Sequence, residues 1–311
     1  MLSRVAERVY WTARYLERAE NTARLVGVYA NLLLDLPKGY TVGWHTLIGI
    51  TGSEEPFGEH HEQADERAVV RFLLTEAANP SSVLSALAGA RENVRTTRDL
   101  FPAEVWEAVN ELHLFARQNA QGGINRNQRH EYLSHIVYGC QQLTGQLAGT
   151  MSHDAAYDFV RLGRDLERAD MTTRILDVGV ATLQEQDDTA APLLSTLWIN
   201  VLRSLSAYQM YRRHVRASVN GRDVSAFLLG DAQFPRSVRY CVDELDAALR
   251  RLPRGEAPLH RVAHISRLLA ETDPRAIDRE TLHSFIDDLQ LELGQVHDAI
   301  AATWFPAPPP S

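Results

Sequence analysis

Lysine is almost missing: Lys38 is the only one among 32 basic residues in 311. It stands in Pro37-Lys38-Gly39, a loop-like setting, so a Schiff-base lysine and a phosphate-loop lysine are both excluded. Cysteine is nearly as scarce. Cys140 and Cys241 stand apart in apolar surroundings and form no Cys-x-x-Cys, which excludes a zinc or disulfide framework and points to a reducing compartment. No apolar run approaches the roughly 20 residues of a membrane span. The start, "MLSRVAERVYW", lacks the apolar stretch of a secretory signal. A cytoplasmic location with no membrane partner is therefore expected. Positive charge is in deficit, with 40 acidic residues and a formal net charge of −8, so no global field draws the chain to nucleic acid. The Gly-x-Ser-x-Gly, His-Glu-x-x-His, Walker A and dinucleotide fingerprints are all absent. Strand-like alternation bounded by turn pairs is scarce.

What remains is helix. Hydrophobic residues make up 45% of the chain, enough for a large core at this length. From Leu2 to Leu36, the residues Val5, Val9, Leu16, Ala19, Ala23, Val26, Ala30 and Leu33 fall on one side of a 3.6-residue wheel, and Pro37 to Gly39 ends the run. Further helices are predicted at about 62–76, 81–99, 103–120, 128–151, 154–184, 192–218, 235–251 and 277–304. Segment 37–61 reads as a short helix with a surface loop, and Gly122-Gly123 and 185–192 read as connections. The expected fold class is all-α: a multi-helix bundle with an internal pseudo-twofold repeat. It is expected as a single domain over 1–305, with halves of roughly 1–150 and 151–305 and a disordered proline-rich tail at 306–311.

The repeat carries the chemistry. Arg14 to Leu25 reads "RYLERAENTARL" and Arg164 to Ile175 reads "RDLERADMTTRI". At an offset of 150 the pairs Arg14/Arg164, Leu16/Leu166, Glu17/Glu167, Arg18/Arg168, Ala19/Ala169, Thr22/Thr172 and Arg24/Arg174 are identical, while Glu20/Asp170 and Leu25/Ile175 are conservative. The simplest cause is duplication of a helical unit. Positions 14, 17, 21 and 24 form one stripe, with an apolar stripe on the other side of the helix. Three readings stay open. The stripes are solvated faces laced with weak ion pairs, a buried Arg/Glu network that fixes how helices dock, or an arginine-lined site for a phosphate or an anionic peptide. Retention of arginine rather than lysine favours the last two, because the planar fork matters for bidentate pairing and anion binding.

At these residues the sequence resembles the bacterial alpha-E domain family. The start "MLSRVAERVYWTARYLERAENTARLV", the second motif "GRDLERADMTTRILDV" and the later "FLLGDAQFPRSVRY" are similar to that family's motifs, in its order. Gly230-Asp231-Ala232 departs from the Leu-Asp-Pro-like run usual there. The resemblance implies a helical protein that accompanies a circularly permuted ATP-grasp protein, which is similar to amide-bond-forming ligases. It often implies a transglutaminase-like protein as well, in peptide or protein modification. The function expected is that of a non-catalytic accessory partner. The alternative is an enzyme that uses Glu17 and Glu167 as acid–base groups, with arginines orienting a carboxylate or phosphate.

Other constellations are weaker. Pro235 fits a first helical turn, so that Arg236, Ser237 and Val238 would offer an anion cradle; the plain reading is a helix start with Phe234 as a hydrophobic staple. Glu59-His60-His61-Glu62 lacks helical ligand spacing, and Glu280-x-x-His283 lacks the second copy that a di-iron site needs. A hard cation between Glu17, Glu20, Glu167 and Asp170 is disfavoured by the flanking arginines. No metal and no cofactor is expected. Ser152-His153-Asp154 reads as a helix cap, and Tyr10, Trp11, Trp44 and His45 are expected to cluster near the first motif.

Overall fold

The structure, a computed structural model, describes residues 3–36, 43–182, 191–215 and 217–305. The expectations for Lys38, for most of the connection at 185–192 and for the tail at 306–311 lie outside the described residues. Among the described residues there are fifteen α-helices and no strands. In order they are α1 (Ser3–Asp35), α2 (His45–Thr51), α3 (Glu54–Gly58), α4 (Glu66–Leu74), α5 (Val83–Thr96), α6 (Ala103–Gln118), α7 (Ala120–Ile124) and α8 (Arg126–Thr150). There follow α9 (Ala155–Thr182), α10 (Ala191–Ser204), α11 (Tyr208–His214), α12 (Gly221–Gly230), α13 (Val238–Leu249), α14 (Glu256–Glu271) and α15 (Arg279–Trp304).

The chain divides into two compact units. One joins the residues up to Arg14 to those from Ser152 to Leu202 and from Ser206 onward; the other is Tyr15–Met151 with Arg203–Leu205. The long first helix thus belongs to both.

In the first of these units, α9 packs on α13 and α15, with α14 lying on α13 and α15. Asp154 caps α9 by accepting from the Ala156 and Tyr157 amides, the capping role expected for Ser152-His153-Asp154. The start of α1 lies hard against α9 at Gly163: a β-carbon there would fall 2.2 Å from the Tyr10 carbonyl oxygen. Backbone can touch backbone only because that position is glycine.

In the second unit, α5 packs on α6, α6 on α8 and α4 on α7. Asp65, Ser82 and Asn125 cap α4, α5 and α8. Gly122-Gly123 is not a free connection but part of α7, where a β-carbon on Gly123 would come within 2.8 Å of the Tyr132 ring.

Elsewhere the structure departs from expectation at breaks. The helix expected over 192–218 is split between α10 and α11 by Ser206, which adopts φ 54°. No glycine or proline announces that turn. Helices α12 and α14 were not anticipated. The first starts at an asparagine cap followed directly by glycine, and the second buries only a narrow face at Pro258, Val262 and Ile265. Helix α13 begins at Val238 rather than in a turn containing Pro235, because the Ser237 side chain caps it by accepting from the Tyr240 amide.

Candidate functional site: the repeated arginine and glutamate stripes

Both motif helices are buried on their polar side as well as their apolar one. Glu17, Glu20 and Glu167 are 2%, 1% and 2% exposed, and Arg14 is 8% exposed. Around them Leu16, Ala19, Asn21, Thr22, Ala23 and Val26 are also buried. Of the three readings left open, a solvated face does not fit Arg14, Glu17, Glu20 and Glu167. A carboxylate withdrawn from water this far requires a charged or hydrogen-bonding partner.

In the first unit that partner is explicit. Arg14 Nε donates to Glu167 Oε2 at 2.6 Å, joining the first motif to the second across 153 positions of sequence. Arg14 Nη1 donates to the Tyr10 hydroxyl at 3.3 Å and contacts His297 Nδ1 at 3.4 Å, while the Tyr10 hydroxyl lies 2.8 Å from the same His297 nitrogen. Those roles fit a His297 tautomer with its proton on Nε2. The guanidinium also lies 5.3 Å from the Trp11 ring centroid. Burial opposes the charge on Arg14, but the Glu167 carboxylate, with smaller contributions from Tyr10 and Asp170, holds it well above the ordinary arginine range. The group is a fixed cation inside the fold.

Around the second motif, Asp165 is the residue that sequence reasoning missed. It is fully buried and takes a bidentate pair from Arg164, both bonds 2.9 Å, with Arg168 Nη1 at 4.0 Å. Its signal lay in the motif itself, between two arginines, yet the alignment discarded it because the first copy carries Tyr15 at the matching position. Asp158 and Arg161 were missed too. Arg251 donates to Asp158, and Arg161 donates to Glu244 at 2.6 Å.

The duplication is visible as a repeated bond. Arg24 pairs with Glu20 in the second unit, and Arg174 Nε donates to Asp170 Oδ1 at 3.0 Å in the first. These are the same i,i+4 pair 150 residues apart. In the second unit Gln141 Nε2 also donates to Glu20 at 3.2 Å, and Arg18 Nη1 to Ser81 Oγ at 3.4 Å. Cys140 is buried beside these carboxylates rather than in purely apolar surroundings. Burial first, and then Glu20 and Glu17, push its thiol well above the usual cysteine range, which leaves it inert.

The segment read as an anion cradle is engaged internally. Thr172 of the second motif donates to the Arg236 carbonyl at 2.7 Å, and the Ser237 hydroxyl donates to the Asp231 carbonyl while accepting from Tyr240. Arg236 and Ser237 are buried.

The remaining candidates are scattered. His61 bonds Glu76 at 2.8 Å and stacks on Phe57. Trp44 pairs with Tyr29, and Tyr10 and Trp11 meet His297. His283 Nδ1 donates to Asp177, and its Nε2 lies 3.8 Å from Asp287. Among the described residues these three form the one group close enough to hold a metal ion, and Glu280 is not part of it.

No helix among the described residues is long and apolar enough to cross a membrane. Residues 1–305 match the Alpha-E family, described as "a predicted alpha-helical domain with a conserved ER motif". Curated relatives include uncharacterised proteins of Mycobacterium bovis and of two Mycobacterium tuberculosis strains, each 23% identical over 98% of this chain. The chain spans 37% of the length of those relatives. No solved structure matches it.

Proposed function

The chain belongs to the Alpha-E family, and from that premise we propose that it is a helical accessory protein. It docks on an ATP-grasp-type amide ligase and serves peptide or protein modification in the cytoplasm, with a transglutaminase-like protein as a further member of the system. The observation that carries this reading is where the Arg/Glu motif spends its charge. Arg14 is committed to Glu167, Arg164 to Asp165, Arg24 to Glu20 and Arg174 to Asp170. The first of these joins α1 to α9 and helps to specify how the two helices dock, while the other three hold charge within one helix. An acid–base catalyst would instead need Glu17 or Glu167 within hydrogen-bond reach of a substrate. The length of the relatives agrees with a modular role, since a region of this kind occupies little more than a third of each.

The test is reconstitution with a circularly permuted ATP-grasp protein from the same source. The two are expected to co-elute on size-exclusion chromatography at micromolar concentration and to raise peptide-dependent ADP release by the ligase. Absence of a complex together with unchanged turnover would sink the proposal. Peptide turnover by this chain alone, lost in Glu167→Gln, would favour the catalytic alternative.

A further inference from the structure

Away from the stripes, the first unit contains a cavity of about 670 Å³, within the range of small-molecule sites. Its walls come from α9, α10 and the starts of α12 and α15. One side is hydrocarbon: Val180, Trp198 and Leu282. Trp198 is nearly buried and lies over Gly221, where a β-carbon would come within 2.6 Å of the indole. The glycine at the first position of α12 is therefore required by the ring, and the wall is set before any ligand arrives.

The other side is rich in donors. The N-termini of α12 and α15 border the cavity, each with an arginine in its first turn, Arg222 and Arg279. The cap side chains are engaged internally: Asn220 accepts from the Asp223 amide at 3.0 Å and Asp278 from the Thr281 amide at 2.8 Å. In α12 the first intrahelical bond is Val224 N to the Asn220 carbonyl, so the Gly221 and Arg222 amides precede it and face outward from the helix end. Asp223 is held by Arg275 at 2.9 Å, and Arg222 makes no ion pair among the described residues. One turn on from Gly221, Ser225 lines the same cavity. It is fully buried, and its hydroxyl has no hydrogen-bond partner among the described residues. A buried hydroxyl without a partner is costly, and a ligand oxygen is what would satisfy it.

We propose that this cavity binds a small amphipathic anion. Its carboxylate or phosphate head would sit on the α12 N-terminus with Arg222 and Ser225, and its apolar body against Val180, Trp198 and Leu282. The inference stands apart from the docking function, since it uses none of the motif residues.

The test is calorimetric titration of the full chain with octanoate and with hexyl phosphate, which share the chemistry but differ in the head. Acetate and inorganic phosphate supply the head alone, and octanol the body alone. At least one amphiphile is expected to bind with Kd at or below about 1 mM, while acetate, phosphate and octanol bind far more weakly. The preferred head identifies the source as an acyl carboxylate or a phosphate ester. Arg222→Gln, an exposed change, and Ser225→Ala, which removes an unpartnered group, should each weaken binding roughly tenfold; the first should leave the unfolding midpoint of the free chain in place, and the second should leave it unchanged or raise it. Failure of both amphiphiles to bind, equal binding of octanol, or affinity indifferent to both substitutions would overturn the proposal.

Discussion

At the scale of single residues, the energetics turn on pairs in which neither partner is dispensable. Arg14→Ala leaves Glu167 buried beside an absent cation, and breaking such a pair costs about 3–5 kcal/mol. Urea unfolding should read that loss, whereas Arg14→Met combined with Glu167→Leu should recover most of it, because the remaining cost is packing rather than unpaired charge. Histidine 283 behaves differently because it is partly exposed. The hydrogen bond that His283 donates to Asp177 holds its imidazole above the usual histidine range, with burial acting against it, and burial in turn pushes the Asp177 carboxyl up. A raised histidine stabilises the fold fully below its unfolded value of about 6.5 and loses that contribution as pH rises through the folded value. His283→Gln should therefore lower the melting midpoint at pH 6 by about 1–3 °C and change nothing at pH 9. Equal shifts at both pH values would mean that His283 acts through packing alone.

At the scale of elements, close approach matters more than propensity. Gly163→Ala adds one methyl group, yet places it against the Tyr10 carbonyl. The start of α1 must then move off α9 and draw Arg14 away from Glu167. Overpacking of this kind costs about 1–3 kcal/mol, and the loosened ion pair adds to it. The check is denaturant unfolding beside Gly145→Ala, whose added carbon meets nothing within 4 Å and which should be neutral or slightly stabilising. The long helices were legible because their apolar period is sustained and their caps are conventional: α1, α6, α9 and α15 lie within a few residues of expectation. What escaped was set by tertiary contact. Ser206 turns the chain without a glycine, and α14 shows only a narrow apolar face. The motif was legible as a repeat, but its burial was not. Charged periodicity looks the same whether water or another helix lies opposite, and Asp165 was invisible to a comparison that kept only matching positions.

At the scale of the whole molecule, a chain with 40 acidic residues and a net charge of −8 presents a net negative field to a partner, although arginines such as Arg67, Arg71, Arg117 and Arg267 stand exposed. Complex formation driven mainly by apolar contact should vary little between 50 and 300 mM salt, which sedimentation of the reconstituted pair would read. The division of α1 carries a further consequence, for synthesis. Tyr15–Met151 is continuous apart from three later residues, and its contacts can form as it leaves the ribosome. The stretch ending at Arg14 belongs with sequence that begins at Ser152. At ordinary elongation rates its partners emerge on the order of 10–30 s later. For that interval the Arg14 guanidinium, later a buried cation, is solvated and available to other binders, so the nascent chain is most exposed to chaperones and proteases at the very helix whose first turns later pack on α9.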